Sequence, residues 1–187
     1  MSFMVPMDRV AVIIGKDGST KKRIETLTST EIDIDSKTGS VIIKKKEGPE
    51  SNIGDWIAQN VIKAIARGFN PSIAEKLVDE EYIFEIIDLE RVVGKSRSQI
   101  HRIKSRLIGE GGKTWKTIET MAEVHLQVFG NTVSLIGKYE ELKIAREAVN
   151  MLLGGKNHSG VYKYLQKMHE ALKRKRMADT WKPASEF

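Results

Sequence analysis

The chain has 187 residues, 40% hydrophobic and 30% charged, which suits one large domain or two small ones with a real core. It has no cysteine, so disulfides and thiolate metal sites are excluded, and no apolar run reaches the roughly 18 residues of a membrane helix. Met1 to Pro6 does not read as a signal peptide and the net charge is +6, so we expect a soluble cytoplasmic protein with a lean towards a polyanionic partner.

Phe3 to Met7 is a short apolar stretch that predicts a strand. Arg9 to Ile14 is apolar but too short for periodicity to decide between strand and helix. Gly15 to Gly18 breaks it. Ser19 then offers an N-cap to a helix whose apolar stripe, Ile24 and Leu27, is set among Lys21, Lys22 and Arg23. Glu31 to Asp35 alternates strictly, as a half-buried strand does. Lys37 to Ser40 turns the chain into a strand over Val41 to Lys44. After Gly48-Pro49, the spacing of Ile53, Trp56, Ile57, Val61 and Ile65 predicts a long helix stopping at Gly68. Asn70-Pro71-Ser72 reads as a boundary, with Pro71 in the first turn of a short connecting helix that ends near Val78.

A second unit opens with a strand over Tyr82 to Ile87 and a helix from Ser96 to Leu107. A glycine break and a helix over Thr114 to Ala122 follow. Strands Val124 to Phe129 and Thr132 to Ile136 flank a Gly130-Asn131 turn, and a helix over Tyr139 to Leu153 stops at Gly154-Gly155. Beyond it, Val161, Leu165, Met168 and Leu172 form the stripe of a docked C-terminal helix from Gly160 to Met177. Its end is basic, Lys173 to Arg176.

The two halves are copies. Ile14-Gly15-Lys16-Asp17-Gly18 recurs 94 positions later as Ile108-Gly109-Glu110-Gly111-Gly112, and eight of the 13 positions from Ile14 to Thr26 match their counterparts. Ser40-Val41-Ile42 meets Ser134-Leu135-Ile136 at the same offset. The expected architecture is α+β, one β-α-loop-α-β-β-α module built twice: residues 1–69, a helical linker 70–79, residues 80–156, and a C-terminal helix and tail 157–187.

Paired glycines let a phosphodiester backbone approach main chain that has no Cβ in the way. Each glycine loop also feeds a helix N-terminus, where unpaired N–H groups and the dipole favour an anion. The candidate contacts are Gly15, Lys16, Asp17, Gly18, Lys21 and Lys22 in the first copy. In the second they are Gly109, Glu110, Gly111, Gly112, Lys113 and Lys116. Such contacts position a strand without reading its sequence. Ile24, Ile34, Ile118 and Val128 are the candidate floor for unstacked bases. Between Lys95 and Arg106 stand five cationic residues and no acid, and Arg97, Arg102, Lys104 and Arg106 flank the apolar stripe Ile100, Ile103 and Leu107. This stretch leads straight into the second loop.

Ile14-Gly15-Lys16-Asp17-Gly18 with Ile24, and Ile108-Gly109-Glu110-Gly111-Gly112 with Ile118, resemble the Ile-Gly-x-x-Gly…Ile pattern of K homology (KH) domains, type I. Arg106 to Thr114, Thr117-Ile118-Glu119, Val128-Phe129-Gly130 and Ala145 to Val149 resemble the archaeal partner-of-Nob proteins more closely. That resemblance implies binding of single-stranded small-subunit rRNA near its 3′ end during pre-rRNA processing, by an adaptor and not a catalyst. It implies the Nob-type endonuclease and the alpha subunit of translation initiation factor two as partners; for the chain itself we expect a monomer that engages no membrane. Asp17 and Glu110 depart from the usual basic loop: a carboxylate about 5 Å from a phosphate repels it by roughly 1 kcal/mol. The second loop, fed by the basic helix, is therefore the expected main site and the first a supporting one. A single-stranded DNA-binding KH module, and a protein-interaction adaptor with one RNA-competent unit, fit the same residues.

Catalytic readings find less support. Gly112-Lys113-Thr114 resembles a nucleotide loop, but the glycine required five residues earlier is Leu107. Asp33 and Asp35 share a strand face without a third ligand, and His101, His125, His158 and His169 have no metal spacing. The expectation is no enzyme, no cofactor and no metal. Trp56, Trp115 and Trp181 are left to cores or interfaces, with Trp115 the most exposed.

Overall fold

The chain makes two antiparallel sheets, and in the first the alternation over Thr30–Ile34 and Ser40–Lys45 turns one row of apolar side chains into a core shared with helices that carry one apolar stripe. The computed structural model describes residues 1–46 and 53–180. The expected Gly48-Pro49 break and Trp181 lie outside the described residues. In chain order the elements are β1 (Ser2–Met4), α1 (Met7–Ile14), a 3-10 turn (Lys16–Gly18), α2 (Ser19–Thr28), β2 (Thr30–Ile34), β3 (Ser40–Lys45) and α3 (Gly54–Ala66). Then come α4 (Pro71–Ala74), a 3-10 turn (Glu75–Val78), β4 (Tyr82–Asp88), α5 (Leu89–Val93) and α6 (Arg97–Ile108). A third 3-10 turn (Glu110–Gly112), α7 (Lys113–Ala122), β5 (His125–Phe129), β6 (Thr132–Lys138), α8 (Tyr139–Leu153) and α9 (His158–Thr180) complete it.

The ambiguous stretch before the first loop is helical. Val10 and Ile13, three residues apart, both turn inward, as one face of a helix requires. Ser19 corrects an expectation: it is the first residue of α2, not its cap. Gly18, in the left-handed region, takes the cap position and no side chain caps the helix. The expected connecting helix is present in two short pieces, with Asn70 accepting from Ser72 N at 3.0 Å.

Both sheets are antiparallel and three-stranded, in the orders β1-β3-β2 and β4-β6-β5. In the first, Phe3 and Ile34 both lie opposite Val41, and Ile32 lies opposite Ile43. Asp35 ends β2 as a turn residue. Its carboxylate accepts from Thr38 Oγ1 at 2.7 Å and Lys37 N at 2.8 Å, which lowers its pKa below the ordinary value, the Thr38 bond contributing most. That role accounts for one of the two acids on this strand.

By packing, the described residues form two compact units: one within Met1–Asp88 with Gln127–Lys138, the other Leu89–Leu126 with the described residues from Tyr139 to Thr180. This division runs across the sequence repeat. In the first unit, Ile13, Ile24, Ile32, Val41, Ile62, Ile65 and Phe69 share a core with Ile136 of β6. Phe69 meets Phe84 of β4 edge-on at 6.3 Å, so the second copy's sheet is built into the core of the first unit. Arg9 joins α1 to the end of α3, donating from Nε to Ile65 O (2.9 Å) and from Nη2 to Phe69 O (3.0 Å). Ile65 lies in the last turn of α3 and Phe69 in the segment just after it.

In the second unit α6, α7, α8 and α9 pack on one another. Their fully buried residues include Leu107, Ile118, Ala148, Leu152, Val161 and Leu165. Among the described residues no helix is long and apolar enough to cross a membrane. Phe69, with no exposed surface, is expected to cost about 3–5 kcal/mol when cut to alanine. Trp56→Ala, at a site 58% exposed, should cost within about 0.5 kcal/mol. Denaturant unfolding of the two variants measures both.

Candidate nucleic-acid interface

The two glycine loops have one backbone. Gly15 and Gly109 lie at φ/ψ 74/174 and 73/174, Asp17 and Gly111 at 54/28 and 56/22, Gly18 and Gly112 at 77/14 and 77/13. Each loop closes on itself the same way. Gly15 N donates to Ala11 O (2.9 Å) and Gly18 N to Gly15 O (3.3 Å); Gly109 N donates to Ser105 O (2.8 Å) and Gly112 N to Gly109 O (3.2 Å).

The glycines do different work. A Cβ on Gly15 would stand 2.3 Å from Thr20 Oγ1, and one on Gly109 would stand 2.2 Å from Thr114 Oγ1. The first glycine of each loop is therefore a packing requirement, with the helix threonine lying over its Cα. Around Gly111 and Gly112 a Cβ would meet nothing within 4 Å. These two serve the left-handed turn and leave bare main chain facing outward. α2 and α7 follow Gly18 and Gly112 without a side-chain cap; the N–H of Ser19 bonds Lys16 O and that of Lys113 bonds Glu110 O, so each helix start offers an anion its dipole rather than its first N–H.

A second tie, absent from the candidate residues, repeats in both copies. Glu25 Oε1 accepts from Ile32 N at 2.8 Å and Glu119 Oε1 from Leu126 N at 2.9 Å, joining each loop helix to the strand after it. Ser29 and Glu123, both left-handed, end the two helices. The signal was present in the sequence as the identity of Glu25 and Glu119.

Among the cations, Lys16, Lys22, Lys113, Lys116, Arg97 and Arg102 are exposed, and Lys104 is half-buried. Lys21 is half-buried and pairs with Glu25 at 3.8 Å, which turns it to support of its own helix. Ile100, Ile103 and Leu107 are buried together, so the charges of α6 flank an inward stripe as expected. Arg106 is half committed, for its Nη2 donates to Lys156 O at 2.6 Å. Asp17 and Glu110 are both exposed. The basic end of α9 is also partly used within the fold: Lys175 pairs with Glu140 at 3.3 Å, and Arg176 with Glu123 at 2.7 Å and with Glu141.

The expected base floor needs correction. Ile24 and Ile118 are 1% and 0% exposed, because both sit on the inward stripe of their helices, and no base can lie on them. Ile34 and Val128, on β2 and β5, are half-buried and keep an accessible face. Trp115 is half-buried, not the exposed ring expected, and its indole N–H is buried with no acceptor among the described residues. Among the described residues no group of three or more His, Asp or Glu side chains could hold a metal ion.

A glycine turn of this geometry joining two helices, made twice in a chain that forms two three-stranded antiparallel sheets, defines a tandem KH protein. Residues 83–170 match the eukaryotic type KH-domain (KH-domain type I), and residues 1–53 match the KH domain. A KH domain-containing protein of Methanocaldococcus jannaschii is 41% identical over 182 residues, 97% of this chain and 79% of the relative. The RNA-binding protein pno1 of Dictyostelium discoideum is 25% identical over 166 residues, 87% of this chain and 68% of that one. A chain of the crystal structure of the a/eIF2alpha–aDim2p–rRNA complex from Pyrococcus horikoshii superposes with a TM-score of 0.85 at 38% identity, covering 91% of this chain and 94% of that one. The chain belongs to the KH-domain family, in its partner-of-Nob (Pno1, Dim2p) branch.

The two classes of loop glycine should separate on substitution. Gly109→Ala drives a Cβ into Thr114 Oγ1 and its backbone N at φ +73, and should destabilise the second unit by more than about 2 kcal/mol. Gly112→Ala has open space and should cost only about 1 kcal/mol for its positive φ. Thermal melts of the two variants give the comparison.

Proposed function

We propose that this protein binds single-stranded RNA, specifically small-subunit ribosomal RNA near its 3′ end, and assists pre-rRNA processing and ribosome assembly without catalysis. One observation carries the reading: at Gly111 and Gly112 bare main chain faces outward at an uncapped helix N-terminus, directly after the acid-free cationic helix α6. Phosphate is the ligand that such an arrangement favours. The Dictyostelium relative is named an RNA-binding protein, and the Pyrococcus complex contains rRNA and a/eIF2alpha.

In this reading the second module, residues 80–156, is the main RNA site, and Gly109 to Lys113, Lys116, Arg97, Arg102, Lys104 and Arg106 line it. The first module, residues 1–69, adds Gly15 to Gly18, Lys21, Lys22 and Ile34 as a supporting site. Residues 70–79 link the modules and 157–187 carry the C-terminal helix. The protein partners are the alpha subunit of translation initiation factor two and the Nob-type endonuclease. The protein acts as a cytoplasmic monomer.

Fluorescence anisotropy with an oligonucleotide from the 3′ end of small-subunit rRNA tests this. It should bind more tightly than a scrambled RNA of equal length and than the matched DNA. Equal affinity for the scrambled strand would end the ribosomal reading, and equal or tighter DNA binding would end the RNA reading. With about four phosphate contacts, log Kd should rise with log salt at a slope of about 3, and Lys104→Ala should lower that slope by about 0.7.

The loops can also be exchanged. Gly111→Asp gives the second loop the residue the first holds at the same backbone angles, so the fold tolerates it. A carboxylate about 5 Å from a phosphate costs about 1 kcal/mol, so binding should weaken about fivefold. Asp17→Gly, the reverse change in the first loop, should strengthen binding by less. A larger effect at Asp17 would reverse the order of the two modules.

A further inference from the structure

The two loops share a backbone but not their support. Thr114, 1% exposed, lies with Oγ1 over Gly109 and shares a hydrogen bond of 2.9 Å with Tyr162 Oη on α9. On the other side of the loop, His158 Nε2 stands 3.0 Å from Arg106 O. A carbonyl only accepts, so Nε2 carries the proton. Arg106 Nη2 returns to Lys156 O at 2.6 Å. Residues on both sides of the second glycine turn are thus tied to the start of one helix. In the first copy Thr20 lies over Gly15 in the same way, yet among the described residues nothing hydrogen-bonds its hydroxyl.

We infer that the start of α9 is a clamp that holds the second glycine turn in its binding geometry, with Tyr162 as the positioning residue acting through Thr114. The inference rests on the RNA-binding reading above. A helical threonine has two comparable χ1 wells, because its hydroxyl can turn back to a carbonyl of the preceding turn. Thr117 takes that option, bonding Lys113 O at 2.8 Å. Tyr162 holds Thr114 in the other well, with its hydroxyl over Gly109. The Gly112 N to Gly109 O closure then stays formed, and the bare main chain of Gly111 and Gly112 stays presented. A loop ordered before the strand arrives loses less entropy on binding. The clamp thereby favours the second loop over the first without any new contact to RNA.

The experiment uses the full chain with Tyr162→Phe, Thr114→Val, the double variant, and Thr114→Ser as the conservative rescue. Two quantities are read: amide hydrogen exchange at Gly109 and Gly112, and affinity for the single-stranded rRNA oligonucleotide. Tyr162→Phe keeps the ring and its packing, so the thermal midpoint should stay near wild type. Exchange at Gly112 should rise about tenfold as the closure opens more often. RNA binding should weaken about three- to tenfold, the range of one hydrogen bond. Thr114→Ser should restore both, and the double variant should be no worse than the worse single one, since both break one tie. Unchanged exchange at Gly112 in Tyr162→Phe, or additive losses in the double variant, would overturn the clamp. A wild-type chain that fails to prefer RNA would sink the functional reading instead, while the exchange rates would still decide the clamp.

Discussion

Each module depends on a threonine hydroxyl resting on a glycine Cα. Thr20 lies over Gly15 and Thr114 over Gly109, at distances a side chain on either glycine would forbid. The contact brings two helices together at a sharp left-handed turn and leaves the second with no capping side chain. Uncapped N–H groups are ordinarily a defect. Here the dipole of a helix that carries no capping side chain offers positive potential without a charged residue. The turn therefore cannot be optimised for helix stability and for anion binding at once, and both copies resolve the conflict the same way.

The glutamates at 25 and 119 complete the device. Each bonds the main chain of the strand that follows, so the helix carrying the uncapped end is held to the sheet at its far end as well. The second sheet is held in addition by the core of the first unit, where Phe69 meets Phe84 and Ile136 lies among the residues of α1, α2 and α3. The modules are repeated in sequence but not separable beads in packing.

What distinguishes the copies is electrostatic and local. Asp17 occupies the left-handed position that Gly111 occupies in the second loop. A short carboxylate tolerates that backbone, but it repels an approaching phosphate. The cations are divided too: Lys21 is turned to Glu25, whereas Arg97 and Arg102 of α6 stand exposed ahead of the second loop. Even the basic end of α9 is in part a structural latch, through Lys175 and Arg176. The Glu123 hydrogen bond, followed by the nearby carboxylates, raises the Arg176 pKa further above its ordinary value.

Sequence alone determined the duplication, most of the element order (α5 was not foreseen) and the glycine turns, because a repeat at one fixed offset and a break before an apolar stripe are both properties of the chain itself. It placed α8 at its observed bounds, Tyr139–Leu153, for the same reason. It could not decide whether Arg9 to Ile14 was helix, since six residues span too few turns for a period to show. It took Ser19 for a cap, because a serine before a helix and a serine inside its first turn read alike. It placed Ile24 and Ile118 in a groove, because an apolar stripe shows which residues share a face but not what covers that face. Only the tertiary structure decided that these two are core, that the second sheet joins the first unit, and that Tyr162 and His158 reach back some fifty residues to hold the second loop. Those ties join residues with no periodic relation, and a hydroxyl's partner is set by where separate elements come to rest.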